Sequence, residues 1–103
     1  MNKANLVKLK ERNRAKAQPL QIIIGTVERV KVCNFHLNRN RRAAFAIELN
    51  CDDGSDRVVY ASSTIRARCI AELREGSQIV AQLQTLFRHD KYEYELINFR
   101  GIK

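Results

Sequence analysis

Apolar and polar positions alternate along most of this chain beyond residue 20, and the alternation resolves into five extended segments and one helical one. Leu20 to Cys33 (LQIIIGTVERVKVC) is rich in Ile and Val, residues that suit a pleated, half-buried surface. Gly25 within it marks a bulge or a sharp bend. Ile23 and Val27 share one parity and Val30 and Val32 the other, the phase switch that a long strand coiling round a small closed barrel requires. Asn34 to Arg42 (NFHLNRNRR) reads as a loop. Ala43 to Cys51 then alternates strictly, with Phe45, Ile47, Leu49 and Cys51 on one face and Ala44, Ala46, Glu48 and Asn50 on the other. That parity places Phe45 in the core, subject to the register of its strand.

Asp52 to Asp56 (DDGSD) is a tight turn, and Arg57 to Ala61 (RVVYA) returns as a third strand. A helix follows, with Ser62, Ser63 and Thr64 as N-cap candidates, Ile65, Cys69, Ile70 and Leu73 on one face, and Gly76 as the C′ residue. Gln78 to Phe87 alternates again with Ile79, Ala81, Leu83 and Thr85 inward. Arg88 to Lys91 (RHDK) turns the chain, and Tyr92 to Phe99 (YEYELINF) is the last strand. The expected order is β-β-β-α-β-β.

At 103 residues the chain holds one compact core, so residues 20–103 are read as one domain. Residues 1–19 are read as a basic arm, flexible or helical, which Pro19 ends. The formal charge of +8 is unevenly placed. Met1 to Pro19 has six Lys/Arg against one acid and Glu28 to Arg42 five against one, whereas Ala43 to Lys103 has eight bases and nine acids. A basic front on a neutral body points to a polyanionic partner, with nucleic acid first among the classes.

Five strands with a helix between the third and fourth is the element order of the OB-fold, an all-β five-stranded Greek-key barrel. Local wording agrees. GTVERVKV at Gly25 to Val32, AFAIELNCDDGS at Ala44 to Ser55, RVVYA, LREGSQIVAQLQ at Leu73 to Gln84 and YEYELINF resemble two groups of nucleic-acid-binding OB domains. These are the OB domains of bacterial replicative polymerase alpha subunits and the anticodon-binding domains of class II aminoacyl-tRNA synthetases. The resemblance spans about Gln21 to Ile102. It departs at NRNRR, where the family usually carries a Lys-Gly hairpin, and at a turn after the second strand that is one residue longer.

Single-strand binding needs cations along the phosphates and flat side chains on which bases stack. Arg29 and Lys31 on the first strand, with Phe35, Arg39, Arg41 and Arg42 after it, are candidates, the last three for phosphate contacts. Phe35 either stacks on a base or plugs one end of the barrel, and Tyr60 either joins the core or presents a wet face. Arg88, Lys91 and Tyr92 mark the last hairpin, where one of Tyr92 and Tyr94 is expected in the core and the other free to stack. Lys8, Lys10, Arg12, Arg14 and Lys16 are candidate phosphate contacts in the arm. The expected function is binding of single-stranded nucleic acid, DNA before RNA, with low sequence specificity, in replication, recombination or repair.

Other classes have less to stand on. Cys33, Cys51 and Cys69 form no C-x-x-C pair, and Cys33 with His36 is only half a metal site, so free thiols, no metal and no cofactor are expected. No nucleophile sits at a catalytic spacing from either histidine, so no enzyme is expected. The absence of an apolar leader or of a run near 20 apolar residues leads us to expect a cytoplasmic protein without a membrane partner. Two alternatives stay open: an OB module that docks on an acidic protein such as a replication or recombination partner, and a homo-oligomer, since one small barrel covers few nucleotides.

Overall fold

The computed structural model describes residues 20–102. The expected arm and its five cations lie outside the described residues. Five strands, β1 (Gln21–His36), β2 (Arg42–Cys51), β3 (Asp56–Ser62), β4 (Gln78–Arg88) and β5 (Lys91–Gly101), close into one barrel in the order β1-β2-β3-β5-β4. The neighbours are antiparallel except β3 and β5, which run parallel and pair only at Val59 with Tyr94, Tyr60 with Glu95 and Ala61 with Leu96. A 3-10 turn (Ser63–Ile65) and the short helix α1 (Arg66–Glu72) join β3 to β4. This is the all-β, OB-like barrel expected from the order of elements.

Closure depends on β1, which is long enough to pair on both sides. Its first half lies against β4 and its second against β2, and at Gly25 and Thr26 it pairs with both at once. Gly25 is not the site of a bulge. A Cβ there would lie 3.2 Å from the carbonyl oxygen of Asn50, so the missing side chain lets three backbones meet. The phase change comes at Glu28, between Val27 and Arg29, and turns Val30 toward the core. Val32, expected to share the inward face with Val30, is instead 83% exposed.

The core joins Val27, Phe45, Ile47, Leu49, Val59, Ala61, Ile79, Ala81, Leu83, Leu96 and Phe99 from the strands to Cys69 and Leu73 below them. Phe45 therefore points inward. Burying side chains of this size contributes about 1.5–3 kcal/mol each, which offsets the ordering of a chain this short. All three cysteines are free thiols, two of them buried. Burial raises the pKa of the Cys69 thiol and keeps it protonated.

The helix departs from expectation in three details. Neither Ser62 nor Ile65 makes a side-chain cap hydrogen bond; instead the hydroxyls of Ser62 and Thr64 meet at 2.5 Å. Ile65, Cys69 and Leu73, four apart, face the barrel, and Ile70 is left exposed. Gly76 adopts φ 86°, but three residues past the C-cap Leu73, where its N–H donates to Val27 O at 2.6 Å. Arg68 ties the helix to β5 through its stack over the Phe99 ring at 4.6 Å and a bond to Phe99 O at 2.6 Å.

Candidate nucleic-acid interface

The expected loop from Asn34 to Arg42 is shorter, since strand takes up four of its nine residues. β1 runs to His36 and β2 begins at Arg42, so residues 37–41 alone make the turn. Asn38 holds it, its Oδ1 accepting from the N–H groups of Asn40 at 2.8 Å and Arg41 at 2.9 Å. NFHLNRNRR reads as loop because it lacks alternating apolar residues, yet Phe35 pairs with Ala43 and His36 with Arg42.

Two irregularities at the base of this hairpin decide where Phe35 points. β1 carries an extra residue between Val32 and Phe35, and β2 another between Ala43 and Phe45. Each reverses the phase of the residues beyond it. Ala43 thus pairs with Ser62, which shares the outer face of β3 with Tyr60, and Phe35 comes to the same face. There the Phe35 and Tyr60 rings meet edge to face, centroids 5.0 Å apart, with the Arg88 guanidinium 4.6 Å from the Phe35 ring.

Several candidate cations are held by neighbouring groups. Arg88 donates to His36 O at 2.6 Å and lies 3.0 Å from Glu93, which also helps, after burial itself, to raise the Tyr60 pKa. Arg41 bonds Glu95 at 2.7 Å, and Glu95 is 2% exposed. Arg29 and Lys31 share Glu48 at 3.5 and 3.8 Å on the outer face of β1 and β2. Arg42 is oriented by Asn34 Oδ1 and His36 Nε2, both at 2.9 Å. Arg39 and Lys91 are exposed and make no ion pair to another described residue.

The last hairpin is tighter than expected. Arg88 and Lys91 belong to the strands, and the turn is His89 and Asp90 alone, both at positive φ (50° and 61°). On this hairpin Tyr92 is 68% exposed beside Phe87, 63% exposed, with ring centroids 5.1 Å apart. Tyr94 packs partly into the core with Arg57 over its ring at 4.9 Å. Of the two tyrosines, one is therefore in the core and one in solvent. Phe87 was missed in the sequence reading: it continues the parity of Ile79, Ala81, Leu83 and Thr85, and nothing in the alternation marks it as exposed.

Where β3 and β5 splay apart before their three paired residues, a groove opens, lined by Asp56, Arg57, Val58, Tyr60, Tyr92, Glu93 and Tyr94. Two of the three candidate aromatic residues, Tyr60 and Tyr92, share it. Among the described residues, no group of three or more His, Cys, Asp or Glu is placed to hold a metal ion, and no helix is long and apolar enough to cross a membrane.

Comparison with family models, with curated proteins and with solved structures returns no match to this chain. The OB-like assignment therefore stands on strand order, closure and the position of the helix.

Proposed function

We propose that the barrel binds single-stranded nucleic acid, DNA before RNA, with little sequence preference, in replication, recombination or repair. The observation that carries this reading is the groove between β3 and β5, in which Tyr60, Tyr92 and Tyr94 come together beside the exposed Phe87. Stacking on aromatic faces tolerates any base and contributes about 1–3 kcal/mol per base. In this reading the groove takes bases rather than phosphate, since Asp56 and Glu93 line it and its one cation, Arg57, is paired with Asp53. The backbone then follows the exposed cations outside it, Lys91 on one hairpin and Arg39 on the other. Arg41, Arg88 and Phe35 support the platform in this reading and do not touch the strand. The described residues carry twelve Lys/Arg against ten Asp/Glu, so the charge attraction of the barrel itself is modest.

Fluorescence anisotropy with single-stranded DNA, single-stranded RNA and duplex DNA at two salt concentrations tests the proposal. Single strands are expected to bind more tightly than duplex, with affinity falling as salt rises. Absent or salt-independent binding refutes it.

A second reading, contact with another protein or another copy of this chain, is favoured by a separate surface. Leu20, Ile22, Ile24 and Ile102 are all exposed on the side of the barrel formed by β1 and β4. Light scattering of the full chain and an Ile22→Glu variant distinguishes it: a concentration-dependent mass that the variant abolishes supports self-association.

A further inference from the structure

Among the described cations, most have a carboxylate or carbonyl partner. Arg29, Lys31, Arg41, Arg57, Arg68 and Arg88 pair with acids, and Arg74 caps the carbonyls of Ile70 and Leu73. Five have neither an acid nor a backbone carbonyl partner among the described residues: Arg39, Arg42, Arg66, Lys91 and Arg100. Two of those five, Arg42 and Arg66, line the same groove.

The groove lies between the base of the β1–β2 hairpin and the start of α1, separate from the aromatic groove between β3 and β5. Asn34, Ser63 and the exposed Val32 are among its other walls, with Cys33, Ala43 and Ala44, and no carboxylate lines it. Arg42 is held in place through its Nε and Nη1, which leaves Nη2 without a hydrogen-bond partner among the described residues. A guanidinium oriented by an amide and an imidazole, with no carboxylate, keeps its charge for an anion, unlike Arg41, whose charge is met by Glu95. Arg66 supplies a second guanidinium and Ser63 a hydroxyl donor.

We infer that this groove takes a phosphate group of the nucleic-acid backbone, extending the bound strand beyond the aromatic platform and around the base of the β1–β2 hairpin. The inference rests on the single-strand reading above. It assigns a role to Arg66, a residue on the helix that the sequence reading did not mark.

Oligonucleotides from about 4 to about 16 nucleotides, the span of site sizes seen for one OB barrel, separate the two sites. Arg66→Ala is expected to bind the shortest oligonucleotide as the natural protein does. On the longest it loses about five-fold in affinity at 0.1 M salt, and the slope of log affinity against log salt falls by about 0.7, one phosphate contact on a single strand. Arg66→Lys restores most of the slope. Arg100→Ala, an exposed arginine on a different surface, is the control and leaves both unchanged. Inorganic phosphate at millimolar concentration is expected not to compete, because the contact is one point in a longer chain; efficient competition would make this a site for free phosphate and overturn the inference. Equal behaviour of Arg66→Ala and Arg100→Ala on long strands overturns it too, with the platform reading intact. If the natural protein binds no oligonucleotide of any length, the platform reading itself falls.

Discussion

The two long hairpins of the barrel carry similar residues and use them in opposite ways. The β1–β2 hairpin brings Phe35, Arg41 and Arg42, and the β4–β5 hairpin brings Phe87, Arg88, Lys91 and Tyr92. In the first, bulges turn Phe35 onto Tyr60, and Arg41 reaches the buried Glu95. In the second, a two-residue turn leaves Phe87, Lys91 and Tyr92 standing in solvent. An arginine or aromatic residue in a hairpin is thus no guide to its availability. What decides is whether a carboxylate or ring on a neighbouring strand lies within reach, and here Glu95 and Tyr60 claim the first hairpin.

The sharpest way to break that comparison is Arg41→Ala. It would leave the buried Glu95 with its partner gone, a change that costs about 3 kcal/mol when a buried pair is opened from one side. The other half of the pair behaves differently, because the Arg41 side chain is 33% exposed and can turn to water when Glu95 is replaced. Glu95→Gln is therefore expected to cost less, and the double variant to recover part of the loss of Arg41→Ala. Thermal unfolding followed by circular dichroism should show a drop in Tm on the order of 10–20 °C for Arg41→Ala, at several degrees per kcal/mol for a domain of this size. Measured below its Tm, this variant should keep the salt slope of nucleic-acid binding. A slope lower by about 0.7 would instead make Arg41 a phosphate contact and erase the difference between the hairpins.

The complementary change is Tyr92→Ala. With the side chain mostly in solvent, its removal should leave Tm nearly unchanged and cost about 1–3 kcal/mol of affinity for single strands, the worth of one stacked base. Phe87→Ala should act in the same direction, and the double variant should lose less than the sum because the two rings touch. Phe35→Ala is the contrast, with a loss of stability from the Tyr60 and Arg88 contacts and a smaller direct effect on binding. Titrations paired with melting curves check all four. A Tyr92→Ala protein that binds undiminished would move the platform away from this hairpin.

The barrel was legible where burial imposes a two-residue period. Ala43 to Cys51 and Gln78 to Leu83 face a single core, so each inward residue is apolar and each outward one is free to vary. Legibility failed where the chain leaves that core. NFHLNRNRR has no alternation because its Phe35 and its turn residue Arg41 meet Tyr60 and Glu95 rather than the apolar core, partners that ask for no apolar pattern. The burial of Glu95 has no local signal either, since it goes with Arg41, 54 residues away in sequence. The bulges could not be placed from residue types, since neither is marked by glycine and each is one extra residue between paired strands. Tyr60 and Tyr92 were picked as flat side chains of a strand and a hairpin, but their common groove follows from the parallel pairing of β3 with β5, which only the closed topology supplies.

The smallest effect lies in the turns that hold the two hairpins. Asn38 organises the first by accepting two backbone N–H groups, and nothing there is strained. The second places His89 and Asp90 at φ 50° and 61°, where a residue with a side chain costs about 1–2 kcal/mol more than in the right-handed region. Both central residues of this turn type require positive φ, which Asn followed by Gly meets best. His89→Asn with Asp90→Gly should therefore raise stability by about 1 kcal/mol, read as an increase of several degrees in Tm. Binding separates two roles for the turn. If it serves only to present Phe87 and Tyr92, affinity stays level or rises slightly, since a carboxylate next to Lys91 has been removed. If affinity falls while Tm rises, His89 or Asp90 touches the strand, and the exposed platform extends from the rings to the turn itself.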